Sequence, residues 1–209
     1  MADKNYAESR FSADDAALLL IDHQSGILQL VHDYTPAEYR NNVLGLAKLG
    51  KAFNLPTILT TSLDQGPNGP FIPEVLELFP GAPLIRRQGI ISAWDDPEFV
   101  AEVEKTGRRN LIMAGVTVDV CLAFPAMQAV QDGYNVYGVI DASGGDLSAR
   151  ELAVTRMWEH GVTPITWSTL GFELQRDWRL PSSAQFGEVV HRHYHSYSLL
   201  MDSFEAKNA

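Results

Sequence analysis

Short, wholly apolar runs recur along this chain of 209 residues, and segments with the spacing of amphipathic helices separate them. An apolar run of about four to eight residues between turn signals is typical of a strand that is buried on both faces. Such strands occur in parallel sheets, because helices cover both sides of the sheet. The alternation therefore predicts a Rossmann-like, three-layer α/β/α fold with a doubly wound, mostly parallel sheet.

The predicted elements fill the chain from about residue 15 to residue 180. Strands are predicted at 16–21, 56–61, 84–87, 111–114, 134–140 and 162–167. Helices are predicted at 36–53, 72–79, 97–105, 120–133, 148–160 and 169–178. Ser148 is the expected N-cap of its helix, with Glu151 completing a capping box. We therefore predict one domain at 15–180, an N-terminal arm at 1–14 and a C-terminal tail at 181–209 that contacts other subunits.

Charge and composition argue against several kinds of partner. The formal net charge of −10 at pH 7 argues against a nucleic-acid surface, which needs clustered Lys and Arg side chains. No apolar run approaches the roughly 18 residues of a membrane-spanning helix, and the N-terminus is polar and acidic. The single cysteine cannot form an internal disulfide, which favours a reducing compartment. We expect a cytoplasmic protein without nucleic-acid or membrane partners.

The only cysteine, Cys121, lies in the segment that joins the strand predicted at 111–114 to the next helix. Thr117 and Asp119 offer side-chain oxygens for the helix N-cap. A thiol in the first turn of a helix lies near the positive end of the helix dipole and near unpaired backbone N–H groups, which favour the thiolate. The pattern indicates a nucleophile, and the competing interpretation is a buried, inert thiol.

Two other reactive side chains also follow predicted strands. Asp22 comes after the first strand and Arg87 ends the third. Because the carboxyl ends of parallel strands line one crevice, Asp22, Arg87 and Cys121 are expected to converge there. In nucleophilic catalysis the aspartate would take the thiol proton and return it to the leaving group, while the cation holds both anions. Backbone N–H groups at 117–121 would form the oxyanion hole.

Several stretches resemble the isochorismatase-like cysteine hydrolase superfamily, and most closely its YcaC-like branch. They are LLLIDHQSGI (18–27), NLPTILTTS (54–62), GPNGP (66–70), ISAWDDPEF (91–99), AGVTVDVCLAFPA (114–126), VIDASGG (139–145) and FELQRDWR (172–179). The most specific of them are the aspartate motif of the first strand and the cysteine of GVTVDVC. The resemblance covers most of the chain.

The resemblance implies a catalytic triad of aspartate, lysine and cysteine. Asp22 matches the aspartate and Cys121 the cysteine, whereas Arg87 stands where the lysine is expected. Arginine can steady two anions but is a poor proton shuttle. The resemblance also implies a cis peptide between Val116 and Thr117, which would direct the Thr117 N–H towards the oxyanion hole beside that of Cys121. It further implies a small-molecule substrate, hydrolysis of a carbon–nitrogen bond, and a homo-oligomer such as an octamer.

Other side chains allow two interpretations each. His23 and Gln24 follow Asp22 and are assigned to the substrate pocket, although His23 is equally consistent with a packed residue behind the site. Trp94, Phe124 and Trp167 are assigned to the pocket walls, with aromatic core packing as the alternative.

Metal and cofactor sites are not expected. The alternating His191, His193 and His195 could share one face of a strand, but such a cluster is more often solvated or at a subunit contact. Nicotinamidase-like relatives hold a metal through an aspartate and two histidines, and no matching set stands between Asp22 and Arg87.

Two functions of different classes therefore stand side by side. The first is a cysteine hydrolase that acts on an amide, imide or related compound through an acyl-Cys121 intermediate. The second is a non-catalytic small-molecule-binding or assembly protein that retains the fold, which the arginine at position 87 favours. Vinyl-ether hydrolysis of the isochorismate type is less well supported, because some enzymes of that type do without the cysteine.

Overall fold

The computed structural model describes residues 11–208, which form a central sheet of six strands. The strands are β1 (Ala16–Ile21), β2 (Thr57–Ser62), β3 (Leu84–Arg87), β4 (Asn110–Gly115), β5 (Asn135–Val139) and β6 (Thr163–Ile165). They lie in the order β3-β2-β1-β4-β5-β6, and every neighbouring pair is parallel. The predicted fold class is confirmed. The first ten residues of the predicted arm at 1–14 lie outside the described residues.

Helices cover both faces of this sheet. They are α1 (Pro36–Ala52), α2 (Pro73–Leu78), α3 (Pro97–Lys105), α4 (Ala123–Gln131), α5 (Leu147–Glu159), α6 (Trp167–Gln175), α7 (Ser183–His193) and α8 (His195–Asn208). Side chains of α1, α2, α6 and α7 form the core on one face of the sheet. Side chains of α3, α4 and α5 form the core on the other. We call these the first and the second face.

The alternation of side chains along β1 separates the two cores. Leu18 and Leu20 pack on the first face, and Leu19 and Ile21 pack on the second. All six residues of the strand are buried. A strand that is covered on both sides needs apolar residues at every position, which explains the continuous apolar run in the sequence.

The sequence predicts the capping residues and the first residues of the helices only in part. The capping box of Thr35 and Glu38 begins α1, with Pro36 at the first helical position. The predicted cap at Ser148 is wrong, because α5 begins at Leu147 after Asp146 and has no side-chain cap. The last helix of the predicted domain also begins earlier, at Trp167, since the Thr166 hydroxyl accepts the Thr169 N–H.

The C-terminal tail, for which no helix or strand is predicted from the sequence, forms two helices. Phe186, Val189 and Val190 of α7 are buried in the core of the first face, against α1 and α6. The more exposed α8 packs back on α7. Within residues 11–208, no helix combines the length and the apolar character that are needed to cross a bilayer.

The chain reverses its direction of winding between β1 and β4. From β1 it proceeds to β2 and β3 on one side, and it then returns to place β4 on the other side of β1. In open α/β sheets, the crevice at such a switch point is where ligands bind, at the carboxyl ends of the strands. Asp22 follows β1 directly, and the segment that carries Cys121 follows β4.

Candidate active site

The three side chains predicted to act together do converge at the carboxyl end of the sheet. Arg87 is the last residue of β3, and its guanidinium forms an ion pair with Asp22 beyond β1. Asp22 has a φ of 58°, an uncommon left-handed conformation for a residue with a side chain. If the side chains continued to alternate between the two faces of the sheet after Ile21, Asp22 would lie on the first face. The backbone turn instead directs the carboxylate to Arg87, on the second face.

The Asp22–Arg87 ion pair is buried. Exposed fractions of the two side chains are 1% for Asp22 and 0% for Arg87. One Arg87 Nη2–H group donates to Asp22 Oδ1, and the Nε–H donates to Thr60 Oγ1 at 3.1 Å. The Nη1 group donates to the carbonyl oxygens of Ile90 and Ile91, each at 2.8 Å. Because several donors of the guanidinium are used, a lysine ammonium could not reproduce this arrangement.

The Cys121 thiol lies beside this ion pair, close enough to the Asp22 carboxylate for the two groups to affect each other's pKa. Burial raises the pKa of Cys121 well above its ordinary value, and the negative charge of Asp22 raises it further. Arg87 and a hydrogen bond from the Thr117 backbone oppose this rise only in part. This rise is opposite in direction to the shift expected from the helix terminus, and it favours the protonated thiol.

Asp22 is a proton acceptor that interacts with that thiol. Burial raises the pKa of this carboxyl, while the charge and hydrogen bond of Arg87 lower it. Its Oδ1 is paired with Arg87, and its buried Oδ2 has no hydrogen-bond partner of ordinary geometry among the described residues. One oxygen of the carboxylate is thus held by the cation, and the other is available to a proton.

Cys121 is held in a π-helical turn, Val118–Leu122, that precedes α4. Thr117 stands at the N-cap position, but neither its hydroxyl nor Asp119 caps the turn, so the predicted caps are wrong. The Val116–Thr117 peptide bond is cis. A Cβ atom on Gly115 would lie 2.7 Å from the carbonyl carbon and oxygen of Cys121, so only glycine allows this close contact between strand and turn.

Two buried hydroxyl groups that the sequence did not single out support the site. Ser143 Oγ accepts the Gly115 N–H at 3.0 Å and donates to the Val139 carbonyl at 2.7 Å. It thereby holds the end of β4 immediately before the cis peptide. Thr60, on β2, accepts the Arg87 Nε–H. In the sequence, Ser143 and Thr60 resemble other small polar residues near strand ends, and no pattern marks either of them as part of the site.

His23 and Gln24, which follow Asp22 in the chain, are both buried. His23 Nε2–H donates to the Ala142 carbonyl at 3.0 Å, and burial lowers the pKa of this histidine to about 4, so the ring is neutral. Gln24 bonds through its amide to the backbone of Ser62 and Gly69. Its side chain fastens the loop that follows β2, which leaves its amide groups engaged rather than free for a ligand.

The three aromatic residues assigned to the pocket do not meet at one place. The Trp94 indole donates to Asp132 and packs in the core of the second face. Trp167 begins α6 at the far edge of the sheet and packs in the core of the first face. Phe124 lies under the Arg156 guanidinium and lines a surface cavity of about 310 Å³. The alternative of core packing therefore describes Trp94 and Trp167.

The histidines near the C-terminus are separated rather than clustered. They are not on a strand, because α7 ends at His193 and α8 begins at His195. His193 is buried and contacts Lys48 and Asn41, whereas His191 is near Asp202 on the surface. Within residues 11–208, no group of three or more His, Cys, Asp or Glu side chains is arranged to hold a metal ion.

Comparison with known proteins identifies a family and several similar proteins. The isochorismatase domain family matches residues 16–169. YcaC of Escherichia coli, described as a probable hydrolase, is 46% identical over 197 residues, which span 94% of each chain.

Two solved structures are also similar. YcaC from Pseudomonas aeruginosa, solved with hexane-2,5-diol and covalent acrylamide, has a TM-score of 0.92 at 46% identity, covering 96% of this chain and 100% of that one. The E. coli YcaC gene product, described as an octameric hydrolase of unknown specificity, has a TM-score of 0.92 at 47% identity, with 95% and 97% covered.

Proposed function

The chain belongs to the isochorismatase family of hydrolases, and we propose that it is a cysteine hydrolase that cleaves a C–N bond in a small amide, imide or related compound. The observation that carries this proposal is the buried Asp22–Arg87 ion pair with the Cys121 thiol beside it. A buried charge pair is costly to maintain, and one placed against the only thiol at the switch point of the sheet has a chemical use.

The first half of the proposed reaction forms an acyl-enzyme. The sulfur of Cys121 attacks the substrate carbonyl carbon while Asp22 accepts the thiol proton. The carbonyl electron pair moves to oxygen, and the backbone N–H groups of Thr117 and Cys121 are proposed to stabilise that oxyanion. When the oxyanion collapses, the C–N bond breaks, and the protonated Asp22 gives its proton to the departing nitrogen.

The second half releases the acid. Asp22 accepts a proton from water as the water oxygen attacks the thioester carbon, and the C–S bond then breaks. The thiolate regains its proton from Asp22, which restores the resting state. Arg87 stays charged throughout, because a guanidinium does not lose its proton in proteins, so it acts electrostatically and leaves both proton transfers to Asp22.

The covalent acrylamide of the P. aeruginosa relative supports a nucleophilic thiol in this chain. Acrylamide is an electrophile that adds to thiols, and that relative is 46% identical over nearly the whole chain. Cys121 is the only cysteine here, so an acrylamide adduct at a thiol of this chain could form only at this residue.

The proposal is tested with a panel of small amides, imides and ureides. Cys121→Ser should lower turnover by about a thousandfold or more, and rapid quenching should give an acyl adduct on Cys121 in the wild-type protein. Ala129→Ser is the control, because Ala129 is buried on the same face but belongs to the core. Turnover that persists in the Cys121→Ser variant would overturn the proposal.

The non-catalytic alternative has one observation in its favour. Arg87 is engaged by a hydroxyl and two backbone carbonyls besides Asp22, as expected of a group that shapes a rigid pocket. The non-catalytic alternative predicts that a compound of the same panel binds tightly to the protein, as measured by calorimetry. It also predicts no turnover of that compound and no acyl adduct on Cys121.

We also propose that the protein assembles as a homo-octamer. The E. coli relative is described as octameric, and this chain matches 97% of its length. Leu199 and Leu200 of α8 are largely exposed in the single chain, and apolar side chains that are adjacent on a surface favour burial against another subunit.

A further inference from the structure

Arg87 must reach across a strand to meet its partner. In the sheet, β2 lies between β3, which carries Arg87, and β1, which is followed by Asp22. Strands two positions apart are separated by roughly 9–10 Å, so the arginine side chain passes over β2. Thr60 is the β2 residue at this crossing, paired in register with Ile21 on one side and Ile85 on the other.

Thr60 contacts both members of the charge pair. Its backbone carbonyl accepts the Asp22 N–H at 2.9 Å, and its Oγ1 accepts the Arg87 Nε–H at 3.1 Å. The hydroxyl proton is directed elsewhere, because Thr60 Oγ1 donates to the Ile85 carbonyl at 2.9 Å. This donation fixes the orientation of the hydroxyl, and a lone pair faces the guanidinium.

The hydrogen bond to Thr60 determines the position of the Arg87 guanidinium over the sheet. The Nη1 group is tied to the loop that follows β3, and the Nη2 group is tied to Asp22, which is itself at a chain turn. Among residues 11–208, only the Nε–H bond joins the guanidinium to the side chain of a strand that lies inside the sheet. Without it, a buried Nε–H would have no acceptor, and the charge could move away from Asp22 and Cys121.

We infer that Thr60 is a positioning residue for the proposed hydrolysis, which holds the Arg87 guanidinium at a fixed place between the Asp22 carboxylate and the Cys121 thiol. The inference rests on the proposed function, because it assigns Thr60 to the same reaction. It requires an acceptor oxygen at this position, not merely a β-branched side chain that fills the space.

Three variants separate these requirements. Thr60→Val keeps the shape but removes the acceptor, and Thr60→Ser keeps the acceptor but removes the methyl group. Thr61→Val is the matched control, since the neighbouring Thr61 is equally buried but its hydroxyl has no hydrogen-bond partner among the described residues. The readout is the rate at which acrylamide alkylates Cys121, followed by mass spectrometry across a range of pH.

We expect the alkylation profile of Thr60→Val to move to higher pH, because Arg87 lowers the pKa of both Asp22 and Cys121. At pH 7 the rate should fall by about tenfold, the effect of losing one hydrogen bond to a charged group. Thr60→Ser and Thr61→Val should keep the wild-type profile. An unchanged profile in Thr60→Val, or an equal displacement in Thr61→Val, would overturn the inference.

A second measurement uses the wild-type protein and does not depend on whether Thr60→Val folds. The Arg87 Nε–H signal in a ¹⁵N correlation spectrum should exchange slowly with solvent, because that hydrogen is donated to a buried oxygen. Rapid exchange would contradict the inference. Neither readout needs substrate turnover, so an inactive wild-type protein that retained these properties would count against the proposed function but not against the placement of the Arg87 guanidinium by Thr60.

Discussion

At the scale of single residues, two opposing effects act on the pKa of the Cys121 thiol. The N-terminal end of a helix stabilises a nearby anion by about 0.3–1 kcal/mol, whereas taking a charge out of water costs several kcal/mol. Burial and the neighbouring Asp22 therefore decide the outcome, and the pKa of the thiol is raised. In the proposed hydrolysis, a protonated thiol needs a base, and Asp22 takes that role. The thiolate then forms only as the sulfur attacks.

The charge of Asp22 gives the first prediction at this scale. Asp22→Asn removes the negative charge that raises the pKa of Cys121 and leaves Arg87, which lowers it. The thiolate should therefore form at lower pH in the variant, and iodoacetamide should label Cys121 about tenfold faster at pH 7, although turnover is lost. The measurement is the ultraviolet absorbance of the thiolate against pH, with Asp132→Asn as a control. Slower labelling in Asp22→Asn would contradict this electrostatic account.

The sequence located the reactive residues but not what holds them. Asp22, Arg87 and Cys121 were expected to converge because each follows a predicted strand, and the structure does bring them together. Thr60 and Ser143 were not found, because their importance depends on which donors reach them across the sheet. The raised pKa of the thiol was missed for a similar reason: burial is a property of the packed structure.

At the scale of elements, the contact between the end of β4 and the π-helical turn is the most constrained. Gly115→Ala would place a methyl group 2.7 Å from the Cys121 carbonyl group, and backbone atoms cannot move aside as a flexible side chain can. We expect the free energy of unfolding, measured in urea, to fall by about 1–3 kcal/mol or more. Gly81→Ala is the control, because no atom of the part of the chain that the structure describes lies within 4 Å of its added Cβ. Equal effects of the two substitutions would argue against a tight contact at Gly115.

A second prediction concerns the link between β5 and α6. Asp141 follows β5, and its Oδ1 accepts the backbone N–H of Trp167 at 2.9 Å. Burial raises the pKa of this carboxyl from 3.8 to about 6. The folded protein therefore keeps a proton at Asp141 that the unfolded chain releases near pH 4. Its contribution to stability is fully present below about pH 4 and is lost as pH rises through about 6.

Asp141→Asn removes this titration and keeps an oxygen for the Trp167 N–H. The free energy of unfolding of the wild type minus that of the variant should fall by about 2–3 kcal/mol between pH 4 and pH 7. Urea titrations at several pH values measure the difference. Asp14→Asn, at an exposed side chain, should show no such change. A difference that stays constant with pH would rule out a raised pKa at Asp141.

Which segments form helices or strands was easier to predict from the sequence than where each of them begins and ends. The strands were placed because continuous apolar runs are what a doubly covered sheet requires. The π-helical turn could not be predicted, because its geometry follows from the close approach of Gly115 rather than from a local preference. The two tail helices were not expected, since their pattern is interrupted by the polar HRHYH segment, which lies where α7 ends and α8 begins.

At the scale of the whole molecule, the order of the strands is what creates the site. Asp22 and Cys121 are about 100 positions apart in the chain, yet β1 and β4 are neighbours because the chain reverses its winding there. Parallel pairing places both carboxyl ends on the same edge, and β3 contributes Arg87 from two strands away. The fold class could be predicted from the alternation of patterns, and the position of the site follows from this topology.

The surface of α8 gives the last prediction, which concerns assembly. Leu199 and Leu200 are 69% and 61% exposed, and the helix that carries them packs on α7. Replacing both with Glu adds negative charge to a chain whose formal net charge is already −10, so subunits that meet at this helix should repel one another. Light scattering should show an octamer for the wild type and a smaller species for the double variant, with an unchanged circular dichroism spectrum.

Leu152→Glu on α5 is the matched control, because Leu152 is a 73% exposed leucine on the opposite face of the sheet from α7. If the C-terminal helices make the subunit contacts, this variant keeps the wild-type mass. Dissociation by Leu152→Glu and not by the double variant would instead place the contacts at α5. The proposed contacts lie on α8, whereas the reactive groups lie beyond the carboxyl ends of β1, β3 and β4. A dissociated double variant that still alkylates at Cys121 would therefore show that each subunit contains its own complete set of reactive groups.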